Sequence, residues 1–162
     1  MHVIVVVDQN WGIGKDGDLL CHLRGDLKYF QSKTKGKHIV IGRKTLESFP
    51  GGKPLPDREN IVLTSDKEFT REDCTVCYSL TELENHVEKI PDEKIFICGG
   101  ENVYKQFVDN CHELYVTHIL KTFDSDRHFE NLDEREDFEE TWRSAVEEEK
   151  GIRYYFAKYE RK

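Results

Sequence analysis

His38-Ile39-Val40-Ile41-Gly42-Arg43-Lys44-Thr45 reads as a buried strand running straight into a turn that carries a glycine, two cations and a hydroxyl. The uninterrupted Ile-Val-Ile run has no polar alternation, the pattern of a strand covered on both faces. Leu46-Glu47-Ser48-Phe49 then gives a short helix, and Pro50 to Arg58 is turn punctuation. The same unit recurs on either side. Val3 to Val7 is a continuous β-branched strand, Asn60 to Ser65 is a strand ending in hydroxyls, and Val76 to Tyr78 is a short one. Thr81 opens a helix with Leu83, Val87 and Ile90 on its apolar side. Lys94 to Cys98 is a strand that stops at Gly99-Gly100, ahead of a helix carrying Val103, Tyr104, Phe107 and Val108. Strands alternating with helices predict right-handed crossovers and a mostly parallel sheet flanked by helices on both faces. The end of the chain differs: Glu113 to Leu120 and Ile152 to Glu160 read as strands joined across a loop, which predicts an antiparallel C-terminal edge strand. No repeat or linker interrupts the pattern, so residues 1–162 are expected to form a single α/β domain.

Charge is distributed unevenly. Between Asp124 and Lys150 stand twelve acidic and four basic residues, a surplus equal to the formal charge of −8 on the whole chain. That segment argues against nucleic acid or an anionic membrane as a partner, while the neutral remainder leaves room for a local anion pocket. No run is long and apolar enough to span a membrane and no signal peptide is recognised, so the cytoplasm is the expected compartment. There the five cysteines would stay reduced. Cys74-Thr75-Val76-Cys77 has the spacing of half a zinc site, but no second pair follows, and two ordinary thiols are the better reading. No metal is expected.

Asp26 stands out within Leu23 to Lys33. Leu23, Leu27 and Phe30 recur at helical spacing as a buried stripe, and Asp26 falls on it. A carboxylate there loses hydration and needs partners. The plainer alternative is a first-turn acid that suits the helix dipole. Ahead of this helix, Asp8 to Asp18 is a long glycine-containing loop whose Trp11 and Ile13 favour a lid over disorder. Gly42 to Thr45, Thr64-Ser65 and Gly99-Gly100 put three anion-friendly groups at strand ends, on the sheet edge where open α/β folds bind ligands. A dinucleotide with an extra phosphate would use all three. Arg58, held between two prolines and a strand, suits bidentate capture of a carboxylate, although a plain surface arginine reads the same locally.

These residues, taken in order, resemble bacterial dihydrofolate reductase. The resemblance rests on Asn10-Trp11-Gly12-Ile13-Gly14, Leu23 to Phe30 with Asp26, Val40 to Thr45, and Pro54 to Arg58. It continues through Ile97 to Gly100, Val103-Tyr104, Leu114 to His118, and Asp126-Arg127-His128-Phe129, and so covers essentially the whole chain. It implies reduction of 7,8-dihydrofolate by NADPH, with Asp26, Thr117 and Tyr104 at the chemistry. It places the pterin and benzoyl groups against Leu27, Phe30, Phe49 and Leu55, under the carbonyls of Val5 and Cys98, with Arg58 on the glutamate carboxylate. It gives the cofactor Arg43 and Thr64-Ser65 at the 2′-phosphate end. Gly42, Lys44, Thr45, Val6, Ile13, Leu63, Cys98 and Gly99-Gly100-Glu101-Asn102-Val103-Tyr104 would line the rest. Residues Asn10 to Leu23 match the lid, and a monomer is expected.

Two departures stand out. Leu20-Cys21 replaces the family's usual Pro-Trp in the lid, which predicts a more weakly held closed lid, and Glu101-Asn102 replaces a possible further cation. Two other readings use the same scaffold, a pyrimidine reductase of riboflavin synthesis and a non-catalytic nucleotide-binding regulator. Neither gives a reason for Asp26.

Overall fold

The computed structural model describes residues 1–162. In chain order the strands are β1 (His2–Val7), β2 (Gly12–Lys15), β3 (Asp18–Leu19), β4 (His38–Gly42), β5 (Glu59–Leu63) and β6 (Cys74–Cys77). They continue with β7 (Ile95–Gly99), β8 (Glu113–Ile119), β9 (Arg127–His128), β10 (Phe138–Arg143), β11 (Glu147–Glu149) and β12 (Ile152–Arg161). The helices are α1 (Arg24–Thr34), α2 (Arg43–Ser48), α3 (Leu80–Val87) and α4 (Glu101–Phe107). The main sheet runs β10-β12-β8-β1-β7-β4-β5-β6, with β11 added on β12. From β8 to β6 every pairing is parallel, whereas β12 is antiparallel to β8, β10 and β11.

The uninterrupted apolar strands feed two cores. Val3, Val5 and Val7 of β1, Val40 of β4, and Ile95 and Ile97 of β7 pack on one face, with Leu83 of α3 and Val103, Tyr104 and Phe107 of α4. Ile4, Ile39, Ile41 and Phe96 alternate onto the other, under Tyr29 and Phe30 of α1 and Leu46 of α2. Helices therefore cover both faces, as the sequence pattern predicts. No helix is long and apolar enough to cross a membrane.

Three expectations need correction. The helix predicted over Leu46–Phe49 begins at Arg43, with Gly42 as N-cap, so the cations of the turn lie in its first turn. The loop from Asp8 to Asp18 holds β2 and the start of β3, which form a three-stranded sheet with β9. The acidic segment, read as having little periodicity, supplies β9, β10 and β11; the expected antiparallel C-terminal edge is present, with β10 added outside β12. Backbone pairing to β2 and β12 sets these short strands, and they carry little apolar periodicity of their own.

Candidate active site

A groove of about 1070 Å³ opens along the carboxyl ends of β4, β5 and β7, under β2 and β3. Every residue assigned above to the cofactor lines it, from Val6 and Ile13 through Gly42–Thr45 and Leu63–Ser65 to Cys98–Tyr104, and Val5 does too. The turns lie side by side. A Cβ on Gly42 would stand 3.5 Å from Val103 Cγ2, and one on Gly100 would stand 3.4 Å from Thr45 Oγ1. Gly99 takes φ +126° and the Gly99–Gly100 peptide is cis. The Tyr104 hydroxyl donates to the Ile4 carbonyl at 2.8 Å, and its burial raises its pKa well above that of a free tyrosine. At the far end, Arg43 Nη1 donates to Asp66 Oδ2 at 3.1 Å while Asp66 N donates to Thr64 Oγ1 at 3.2 Å, so Asp66 links two of the residues expected at the 2′-phosphate.

Asp26 lies just outside this groove, in the first turn of α1. Thr117 Oγ1 donates to Asp26 Oδ1 at 2.6 Å across 91 residues of chain. Thr117 is buried in the middle of β8, where it pairs with Val6 of β1 and Phe156 of β12. Burial pushes the Asp26 carboxyl up to about 6; the Thr117 hydrogen bond opposes the rise and the Glu149 charge adds to it. Such a carboxyl exchanges protons near neutral pH.

At the other end of α1, Arg58 is fixed by two donated bonds. Nε donates to the Pro56 carbonyl at 2.8 Å and Nη1 to Thr34 Oγ1 at 3.0 Å. Thr34 is fully buried and donates in turn to the Phe30 carbonyl at 2.8 Å. From residue 26 to residue 34 the helix axis advances roughly 12 Å. Phe30, Phe49, Leu55 and Cys98 pack half-buried on the core beneath α2, beside this span. Leu27 corrects the expected buried stripe: it is 54% exposed, because α1 turns that face away from the core. Leu23 ends up in a small separate cluster with Ile119 and Tyr154.

Several site-shaping residues go beyond the sequence reading. Asp8 is buried and accepts from the backbone N–H groups of Asn10, Gly12 and Phe123 at 2.8–2.9 Å, which shapes the entry to the lid. An Asp ending a strand before Gln-Asn is a recognised turn signal, so this one was findable. Glu101 Oε2 accepts from His128 N at 2.6 Å, joining α4 to β9 and through β9 to β2. Glu149 accepts from the N–H groups of Arg24 at 2.7 Å and Gly25 at 3.1 Å, and no local pattern announces that bond.

The fold and site thus define an α/β protein with a glycine- and cation-lined groove along the sheet edge, beside a carboxyl held by a threonine and an anchored arginine. The dihydrofolate reductase family model matches residues 1–161. Dihydrofolate reductases from Staphylococcus haemolyticus and Bacillus subtilis are 38% and 39% identical over 98% of this chain, and over 94% and 93% of their own lengths. A solved structure, dihydrofolate reductase from Enterococcus faecalis complexed with NADP(H) and RAB-propyl, superimposes with a TM-score of 0.86 at 34% identity. The match covers 99% of this chain and 95% of that one. The chain belongs to the dihydrofolate reductase family.

Proposed function

We propose that the protein reduces 7,8-dihydrofolate to tetrahydrofolate with NADPH, and that residues 1–162 work as one domain and as a monomer. The observation that carries this reading is Asp26. A carboxylate pushed up to about 6, held by Thr117 and not bonded to any cation, sits beside a groove ready for a dinucleotide. The groove suits the cofactor on its own evidence. Asp66 links Arg43 and the Thr64 hydroxyl at one end, and the Gly99–Gly100 turn leaves room for close approach beside Thr45. Arg43 and Thr64-Ser65 would hold the 2′-phosphate, Gly42 to Thr45 and Gly99 to Val103 the diphosphate, and Val6, Ile13, Cys98 and Tyr104 the nicotinamide end. NADPH supplies the hydride.

The chain's own work is placement and proton handling. Arg58, held stiff by Pro56 and Thr34, is set to receive a carboxylate in bidentate form. Phe30, Phe49 and Leu55, partly buried on one core cluster, and the exposed Leu27 would supply the apolar surface against the substrate's rings. The carbonyls of Val5 and Cys98 accept from ring N–H groups. Asp26 hydrogen-bonds the ring and favours protonation at N5, while Thr117 fixes the carboxylate's rotamer. The acceptor carbon is C6. Five unpaired thiols go with a reducing compartment, which supports a cytoplasmic place.

An assay following NADPH absorbance with and without dihydrofolate tests the reading. Dihydrofolate-dependent loss of NADPH is expected. Tight NADPH binding with no turnover at any pH would instead indicate a nucleotide-binding regulator.

A further inference from the structure

The first turn of a helix leaves its leading N–H groups without partners inside the helix, and something must satisfy them. In α1 the N-cap is Leu23, which has no side chain able to accept. The acceptor comes from 125 residues away: Glu149 Oε2 takes the N–H of Arg24 at 2.7 Å and Oε1 takes that of Gly25 at 3.1 Å. Tyr154 of β12 lies over the same residue: a Cβ on Gly25 would stand 2.1 Å from its hydroxyl, so a larger residue there would have to push the ring aside. Lys150 and Gly151, both at positive φ, close the tight turn between β11 and β12 and hold Glu149 opposite Ile152. One hairpin therefore caps the first turn of α1 through its N–H groups and sets a tyrosine close over Gly25. The next residue is Asp26.

This arrangement also bears on the plainer reading of Asp26. A first-turn acid serves the helix by meeting its N–H groups, and here Glu149 has taken those of Arg24 and Gly25. Asp26 is left with Thr117.

We infer that Glu149 is a positioning residue for the reaction, a cap supplied by the C-terminal hairpin that fixes the seat and the charge environment of Asp26. The inference rests on the reading of Asp26 as the proton-handling group. Glu149 acts in two ways, both in one direction. Its negative charge raises the energy of the ionised Asp26, and it occupies N–H groups whose positive ends would otherwise stabilise that ion. The other groups facing Asp26 are Thr117 of β8, Cys21 of the lid, Tyr29 of α1, Tyr104 of α4 and Tyr154 of β12. Glu149 is itself faced by Arg24 and Lys150. None of these is a cation in direct contact with Asp26.

The test is the pH profile of hydride transfer in single-turnover experiments on the full chain. Glu149→Gln keeps one acceptor for the N–H groups and removes the charge. The profile's midpoint is expected to fall by about 0.5 of a pH unit, making transfer about threefold slower above the midpoint, with the Michaelis constant for dihydrofolate unchanged. Glu148→Gln is the control, since it removes the same charge from an exposed neighbour on β11 that makes no bond to α1. Equal shifts in the two variants would reduce the effect to net charge and overturn the inference. No shift in Glu149→Gln, with Asp26→Asn still inactive at neutral pH, would overturn it and leave the proposed function standing. Full activity of Asp26→Asn at pH 8 would remove both. If Glu149→Gln does not fold, the native protein decides by NMR. The amide protons of Arg24 and Gly25 are expected to move together on acidification, with a midpoint below that of a free glutamate; insensitive amides overturn the inference.

Discussion

Along the dinucleotide groove each strand passes directly into the turn that faces the ligand, β4 into Gly42 and α2, β7 into Gly99-Gly100 and α4. Across the cleft, the Asp26 side is assembled from parts far apart in the chain. Thr117 reaches Asp26 across 91 residues, Glu149 reaches Arg24 across 125, and Arg58 reaches Thr34 across 24. The groove is thus a property of consecutive residues, and the carboxylate site is a property of the folded sheet. A substitution on the groove side should remove a contact and little else. On the carboxylate side it should change an environment, with consequences for both ionisation and stability.

The largest expected effect sharpens that contrast. Asp26→Asn should lower turnover at neutral pH by about 10²–10⁴-fold, with partial recovery at low pH where dihydrofolate takes its proton from solvent. The same change should stabilise the fold. Ionised Asp26 is disfavoured when buried, so its folded-state pKa of about 6 lies above the unfolded value of 3.8. Native Asp26 therefore costs nothing below the unfolded pKa and on the order of 2–3 kcal/mol once pH exceeds the folded one. Thermal unfolding should show the variant more stable at pH 8, with the gain fading as pH falls from about 6 to 4. A variant with wild-type turnover at pH 8 and no gain in stability would make Asp26 an ordinary helix acid.

Legibility followed the same division. The groove could be read because its signals are adjacent: a strand's apolar run, then glycine, then a cation or hydroxyl. Asp26 could be singled out because helical spacing put a charge among Leu23, Leu27 and Phe30, yet that periodicity misplaced Leu27, which is 54% exposed. A periodic apolar stripe does not say which of its members the core covers. The bond of Glu149 is illegible for another reason, and that of Thr117 is reached only through the family resemblance, not through any local pattern. Sheet pairing brings them to α1, and pairing partners leave no mark on local composition. The short strands β9, β10 and β11 were missed in the acidic segment on the same grounds, since neighbouring strands order them and they carry no apolar stripe of their own.

The second effect separates the two arginines. Arg43→Ala should weaken NADPH about tenfold while leaving NADH nearly unchanged, because only NADPH offers a 2′-phosphate to the guanidinium. The loss falls at the low end for a charged contact, since Arg43 is partly exposed and already engaged by Asp66 and Glu47. Arg58→Leu should raise the Michaelis constant for dihydrofolate by about 10–100-fold and leave NADPH affinity in place. Binding measured by fluorescence titration beside steady-state kinetics distinguishes these outcomes. Equal losses of both ligands in either variant would mean that the two sides do not act independently.

The smallest effect concerns the lid, which belongs to both sides. Family resemblance alone predicts that Cys21, in place of tryptophan, leaves the closed lid weakly held. The structure supplies other holds. Strand β2 is paired to β9 at Gly12 and Gly14, Asp8 binds the N–H groups at the lid's entry, and Glu101 clamps the N–H of His128 at 2.6 Å. The β2–β9 pairing and the Glu101 clamp lie on the groove side. On the Cys21 side, the space among Val6, Ile13, Leu19, Leu20 and Ile119 is about 10 Å³, too small for an indole. In Cys21→Trp the new ring must therefore turn outward, and Leu20 cannot stiffen the bend as a proline would. Stopped-flow cofactor dissociation should change by less than about twofold in Cys21→Trp, and by no more in the double variant with Leu20→Pro. A large slowing in the double variant alone would show that the carboxylate side governs closure and that the groove-side holds are secondary.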